Sequence, residues 1–269
     1  MRARRVVALV RKELRELRAS PAAVAPVAIV TVICVAIPFL VLVVLPAATG
    51  RPLTADADIA RVVERAIPRL PGLQALDPEG AVEAFLFQQF LVLLLIAPII
   101  GAVSLAAYSV VGEKQGRTLE PLLTTPLTTV ELLVGKVIAS LLPSLAIELI
   151  GVAAFAAIAV VFARPGVAAT LLTARSAVLV FVVGPIAALA ALQATIAVSS
   201  RVSDPRSAQQ IAVLVILPIL GMLIGQIAGA FIVPVWVLWT GAGALLAAWI
   251  LLILLSVALF DRERILTRH

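Results

Sequence analysis

The sequence predicts an all-α polytopic membrane protein. It would have six transmembrane helices, an N-terminal interfacial amphipathic helix and a short cytoplasmic helix between the second and third spans. Three observations carry this. Of 269 residues, 62% are hydrophobic and only 13% charged, about half the charged share of an ordinary soluble domain. The mean hydropathy of +1.16 excludes a soluble globule and a disordered chain, and leaves a bilayer as the solvent. The apolar residues also come in six stretches, each long enough to cross at roughly 20 residues. The single cysteine, Cys34, lies inside one of them, so it reads as a small packed hydrophobe, and a disulfide framework is excluded. A net charge of +6 would suit nucleic acid, but the basic residues cluster beside the spans, where anionic lipid lies. Membrane lipid is therefore the expected partner, and nucleic acid is not.

Residues 1–20 form the interfacial helix. Val6, Val7, Val10, Leu14 and Leu17 share one face and basic residues fill much of the other, the pattern of a helix lying flat at the headgroups. The alternative is a basic flank with no role beyond orientation. Ser20-Pro21 breaks this helix and turns the chain into span one, 22–46. That run is longer than the roughly 7–15 apolar residues of a signal peptide, so it reads as a retained span. In the external segment, 47–84, Ile59, Val62, Val63, Ala66 and Ile67 repeat with helical period. Thr54 is the expected N-cap and Pro68 the stop. Asp77-Pro78 marks a second helix start, with proline at the first position, that runs on toward span two, 85–111.

The segment 112–130 follows. Thr118 caps a short helix holding Leu119, Glu120, Leu122 and Leu123, and Pro126 ends it. Thr128-x-x-Glu131 is then a capping box, with Leu127 and Leu132 as its hydrophobic staple. A short helix exposing leucines with few charges suggests a docked partner; leucines dipping into lipid fit equally well. The remaining spans are 131–162, 175–199, 210–232 and 235–258. All must be helices, because amides in hydrocarbon need partners within the segment, and prolines inside them act as kinks. Fifteen of the 21 Lys and Arg residues fall on one side of this arrangement and six on the other. Both termini are therefore expected in the cytoplasm of a multi-pass protein of the cell membrane.

An inventory removes several chemistries. The only histidine is His269, so His-based triads and zinc sites fail. No aspartate lies in a span, which removes a two-aspartate intramembrane protease. Gly135-Lys136 is followed by Val137 where a phosphate-binding loop needs Ser or Thr. The chain is expected to be no enzyme and to bind no cofactor or metal; any ATP must be hydrolysed elsewhere. One ionisable group sits deep in a span: Glu148. An intramembrane carboxylate invites a functional reading, such as a proton or cation site. It also suits a structural lock hydrogen-bonded to Gln193 or Thr195. Gln88, Gln89, Gln193 and Gln226 read as interhelical hydrogen bonders.

The stretch G-E-K-Q-G-R-T-L-E-P-L-L-T-T-P-L-T-T-V-E-L-L-V-G-K, residues 112–136, resembles the signature of type-2 ATP-binding-cassette (ABC) exporter permeases. A second, weaker match is S-S-R-V-S-D-P-R-S-A-Q-Q, residues 199–210. The resemblance implies a single ABC exporter-type transmembrane domain over 1–269. In it the 112–130 helix is the coupling helix, seated on a separate ATPase that carries ATP and Mg. It assigns coupling to Glu113, Gly116, Thr118, Leu119, Glu120, Leu122, Leu123, Thr125 and Pro126. Glu131, Gly135 and Lys136 would shape the return into span three. Arg201, Asp204 and Arg206 would form a second cytoplasmic contact. It further implies two ATPase copies and a second permease, a homodimer or a relative of this chain. Two other readings remain beside it: an ion-coupled secondary transporter using Glu148, and a membrane assembly subunit that transports nothing.

Overall fold

An apolar chain in hydrocarbon must satisfy its own backbone, and helices do so within each segment. The computed structural model describes residues 3–115, 128–199, 210–227 and 233–259; these are helical over every long apolar stretch and include no strand. Helix α1 spans Ala3–Ala19 and stops at Ser20. Helix α2 begins at Pro21, runs to Phe39, passes through a π turn at Leu40–Val44 and ends as Leu45–Thr49. The external α3 covers Ala57–Ala66. Helices α4, Pro78–Leu94, and α5, Ile96–Gln115, form the second span with a break at Leu95. Helix α6 is one continuous helix of 34 residues, Thr129–Phe162, with Pro143 inside it. Helix α7 runs Ala174–Val178, a π turn Leu179–Val183, then Gly184–Ser199. Helices α8, Ile211–Ile227, and α9, Val235–Leu259, follow.

Five helical stretches among the described residues are long and apolar enough to cross a membrane: Ala23–Thr49, Pro78–Val110, Val130–Phe162, Ala174–Val198 and Val235–Leu254. The expected span 210–232 is represented by the 17 residues of α8, and 228–232 lie outside the described residues. The second span is the hub. Its α5 half packs against α2, α6 and α7, and 83% of the apolar window of Pro78–Val110 is buried, against 11% to 56% in the other four. Phe87 of α4 meets Phe155 of α6 edge to face at 5.5 Å, one of the contacts that close the core.

Both π turns lie just ahead of a proline, Pro46 or Pro185. The Leu45 amide donates to the Leu40 carbonyl and the Gly184 amide to the Leu179 carbonyl, bonds across five residues. The wider turn moves aside the carbonyl that the proline ring would otherwise strike.

The external segment differs from expectation at one cap. Asp56, not Thr54, caps α3, accepting from the Asp58 and Ile59 amides. Thr54 is drawn away because its hydroxyl donates to Glu79 Oε2 at 2.7 Å, while the Leu53 amide donates to Oε1 at 2.6 Å. The expected apolar period holds, with Val63 and Ala66 buried, and the helix ends ahead of Pro68 as proline demands. Asp77 caps α4 as expected, its carboxylate accepting from the Gly80 amide. Arg164, just past α6, donates its amide to Glu83 and its guanidinium to Asp77.

Candidate functional site

The segment between α5 and α6 carries the sequence's strongest functional signal. Glu113 lies in the last turn of α5. Gly116, Thr118, Leu119, Glu120, Leu122, Leu123, Thr125 and Pro126 lie outside the described residues, as do Arg201, Asp204 and Arg206. What is described is the base on which that segment stands. The Thr128 hydroxyl accepts from the Glu131 amide at 3.2 Å and the Glu131 carboxylate accepts from the Thr128 amide at 3.1 Å, the reciprocal capping box the spacing predicts. The box fixes the residue at which α6 begins, and so the height from which the chain enters it.

Across this base lies α1, which packs on α6 and touches α5. The buried stripe of α1 is Val6, Leu9, Glu13 and Leu17, not the whole apolar face read from the sequence. Val7 is exposed, and Val10 and Leu14 are half-buried on its flank. Leu9 seats directly on Gly135 of α6, where a Cβ would collide with its side chain. That glycine therefore lets the Leu9 side chain rest against the α6 backbone.

One turn beyond this contact is a buried ionic cluster. Lys136 Nζ lies 3.1 Å from Glu13 Oε1 and 2.8 Å from Ser109 Oγ, and it also reaches the Ser109 carbonyl at 3.4 Å. The Ser109 hydroxyl donates to Glu13 Oε2 at 2.7 Å. The Lys136 and Glu13 side chains are 3% and 2% exposed, so the pair is screened little by solvent. Both Glu13 oxygens have partners, which is the condition under which a buried carboxylate is tolerated. Three helices meet here: α1, the end of α5 and the start of α6. The cluster thus fastens α1 to both helices that flank the 116–127 segment.

Burial alone would raise the Glu13 carboxyl, but the Lys136 ammonium, the Ser109 hydroxyl and nearby Lys12 outweigh it and hold it below the usual carboxylate range. A carboxyl held low in the folded state stabilises that state fully above its unfolded value and loses the contribution as pH falls through the folded one. Thermal unfolding in detergent should therefore lose stability below about pH 4.3, the unfolded value of a glutamate. The Glu13→Gln protein should show a smaller acid-side fall, the remainder coming from Glu79, which its hydrogen bonds from Thr54 and Leu53 also hold low; an identical fall in both proteins would remove Glu13 as a cause.

Glu13 and Ser109 were not singled out by sequence reasoning. The available signal was local: Glu13 sits four residues after Leu9 and four before Leu17, an acid in line with the buried stripe. Gly135 and Lys136 were placed at the return into span three, and the structure gives both a physical task.

Glu148 lies mid-way along α6 and is buried. It packs on Gly184 of α7, where a Cβ would stand 2.8 Å from its Oε1. No hydrogen bond or ion pair to it occurs among the described residues. The expected partners are elsewhere. Thr195 donates to the Ala191 carbonyl of its own helix at 2.8 Å. Gln193 borders an apolar pocket with Val130, Leu133 and Trp249, several turns from Glu148 along α6. The physical reason is helical rise: Gly184 fixes the level of contact, and Gln193 is nine residues further on, about 13 Å at 1.5 Å per residue. Of the other glutamines, Gln88 does bridge elements, donating to the Thr170 carbonyl at 3.2 Å. Gln89 is fully buried, and its amide finds no hydrogen-bond partner among the described residues. The Gln226 side chain lies outside the described residues.

The sequence model of a family described as ABC-2 family transporter protein matches residues 7–236. The match takes in α1 from Val7 onward, the ionic cluster, the 112–136 block and Glu148. No curated protein matches the chain.

Proposed function

The chain belongs to the ABC-2 family of transporter proteins, and from that premise we propose that it is the transmembrane subunit of an ABC exporter. As a permease of this family it is a membrane transport component and not itself the catalyst. Our reading goes further in four respects. The substrate moves outward. ATP and Mg are bound by a separate ATPase, two copies of which serve two permeases, most simply two copies of this chain. The ATPase seats on residues 112–130. The protein crosses the cell membrane six times, with both termini in the cytoplasm.

The observation that carries this reading is the base of the 112–130 segment. A docking element that receives force needs a rigid mount. Here the mount is the capping box, the Gly135–Leu9 contact and the Glu13–Lys136–Ser109 cluster. The excess of Lys and Arg at this end supports its assignment to the cytoplasm.

The direct test is purification of the chain from its native membranes in mild detergent, with its companions identified by mass spectrometry. A Walker-motif ATPase at near-equal stoichiometry is expected. Leu122→Asp should reduce its recovery at least about tenfold, since one charge set into an apolar contact costs on the order of 2 kcal/mol or more, while the permease keeps its own elution profile. Full recovery of the ATPase with Leu122→Asp would remove the docking assignment.

Glu148 supports no separate transport mechanism by itself, but a second reading attaches to it. A buried carboxylate without a described partner suits a proton- or cation-dependent step within the transport cycle. Export that is unchanged in Glu148→Gln at equal protein level would return the residue to a packing role.

A further inference from the structure

We propose that the outward flank of α1 binds an anionic phospholipid of the cytoplasmic leaflet: Arg11, Arg15 and Arg18 hold its phosphate, and Val7, Val10 and Leu14 receive its acyl chain. This rests on the reading above that places this end of the spans in the cytoplasm.

The argument begins with how α1 is used. Its inner stripe is consumed by packing on the spans. Its acids are consumed as well. Glu13 is buried against Lys136, and Glu16 pairs with Lys12 at 3.2 Å, four residues apart on the surface. Arg11, Arg15 and Arg18 are exposed, and none makes an ion pair or hydrogen bond among the described residues. Their spacing of four and three residues sets them in one stripe along the helix.

The apolar residues are not distributed evenly around that stripe. Val7, Val10 and Leu14, again at helical spacing, fall between the arginines and the buried stripe. The six side chains line one shallow groove of about 440 Å³. The opposite edge of α1 is polar, carrying Lys12 and Glu16. A helix with water on both sides has no reason for this asymmetry. A helix fixed beside spans, with one flank toward lipid, does: apolar side chains meet the acyl region, and guanidinium groups stand one step above at the phosphates. The Glu13–Lys136–Ser109 cluster and the Leu9–Gly135 contact prevent α1 from rolling. The three arginines are therefore held at one depth, as a preformed site. An acidic protein surface would answer the charges but leave the apolar half of the groove unoccupied.

The test uses the full chain in a neutral detergent. Phosphatidylglycerol or phosphatidylcholine is added at equal concentration, and retained lipid is counted by native mass spectrometry. Wild-type protein is expected to retain phosphatidylglycerol at least about tenfold over phosphatidylcholine. The triple variant Arg11→Gln/Arg15→Gln/Arg18→Gln should lose that preference with an unchanged elution profile, because all three side chains are exposed. Val7→Ser/Leu14→Ser should weaken phosphatidylglycerol retention while the arginines remain. An unaltered preference in the triple variant overturns the proposal. So does protection from thermal unfolding by inorganic phosphate equal to that by phosphatidylglycerol, which would mark a free-anion site. If the triple variant instead loses its ATPase and keeps its lipid preference, the stripe belongs to a protein interface. Lipid retention is read without the ATPase, so failure here leaves the docking assignment standing, and failure of docking leaves this result standing.

Discussion

Lys136→Met is expected to destabilise the protein by about 3–5 kcal/mol, the usual consequence of removing one member of a buried ion pair. Methionine matches the length of the lysine stem, so little volume is lost. What is lost is the ammonium that Glu13 and Ser109 both address. Glu13 would be left charged at 2% exposure, or would take up a proton and give up its acceptor role toward Ser109. The second variant decides the cause. Glu13→Leu/Lys136→Met removes both charges and should recover most of the loss, since a buried pair replaced by packed apolar residues is often neutral. Thermal unfolding of the single and double variants in one detergent measures the coupling. Equal losses in both would show that Lys136 contributes through packing and not through the pair. The readout most specific to α1 is limited trypsin digestion. Arg11, Arg15 and Arg18 are on an exposed flank, and cleavage there should accelerate in Lys136→Met as the helix detaches.

Glu148→Leu is expected to act in the opposite direction. An acid near the centre of a span disfavours insertion by roughly 3 kcal/mol, and leucine slightly favours it. Glu148 has no described hydrogen bond to offset this, so the leucine variant should be more stable by on the order of 2–3 kcal/mol. The site accepts the exchange sterically, because leucine is shorter than glutamate and Gly184 leaves the facing helix without a side chain. Gly184→Val supplies the complementary case. Its Cβ would press on the carboxylate at 2.8 Å and stand 3.5 Å from the Leu179 carbonyl, and overpacking of this kind costs about 1–3 kcal/mol. A stability loss in Glu148→Leu would instead reveal a partner that holds the carboxylate.

The parts of the fold that follow from one-dimensional chemistry were legible in the sequence. The Thr128–Glu131 box and the Asp77–Pro78 start are local, and both stand where their spacing puts them. The α3 cap was legible in type but not in place. Thr54 and Asp56 are both competent caps, and the choice between them is made by Glu79, more than twenty residues away. The same limit explains the ionic cluster. Glu13, Ser109 and Lys136 are separated by 96 and 27 residues, and no periodicity links three helices across such distances. Glu148 was visible because an acid in an apolar run is conspicuous. Its neighbour was not, because Gly184 contributes no chemistry that a sequence pattern records.

The unbroken length of α6 has a mechanical consequence. Its 34 residues span about 51 Å, well beyond the roughly 30 Å of the hydrocarbon core. At one end it is pinned through Lys136 and Gly135; at the other, Arg164 is tied to Glu83 and Asp77. Between those anchors α6 carries Pro143, whose missing N–H leaves one carbonyl of the helix without its usual donor. The two ends of α6 are thus anchored separately and joined by one continuous helix whose natural point of bending is Pro143.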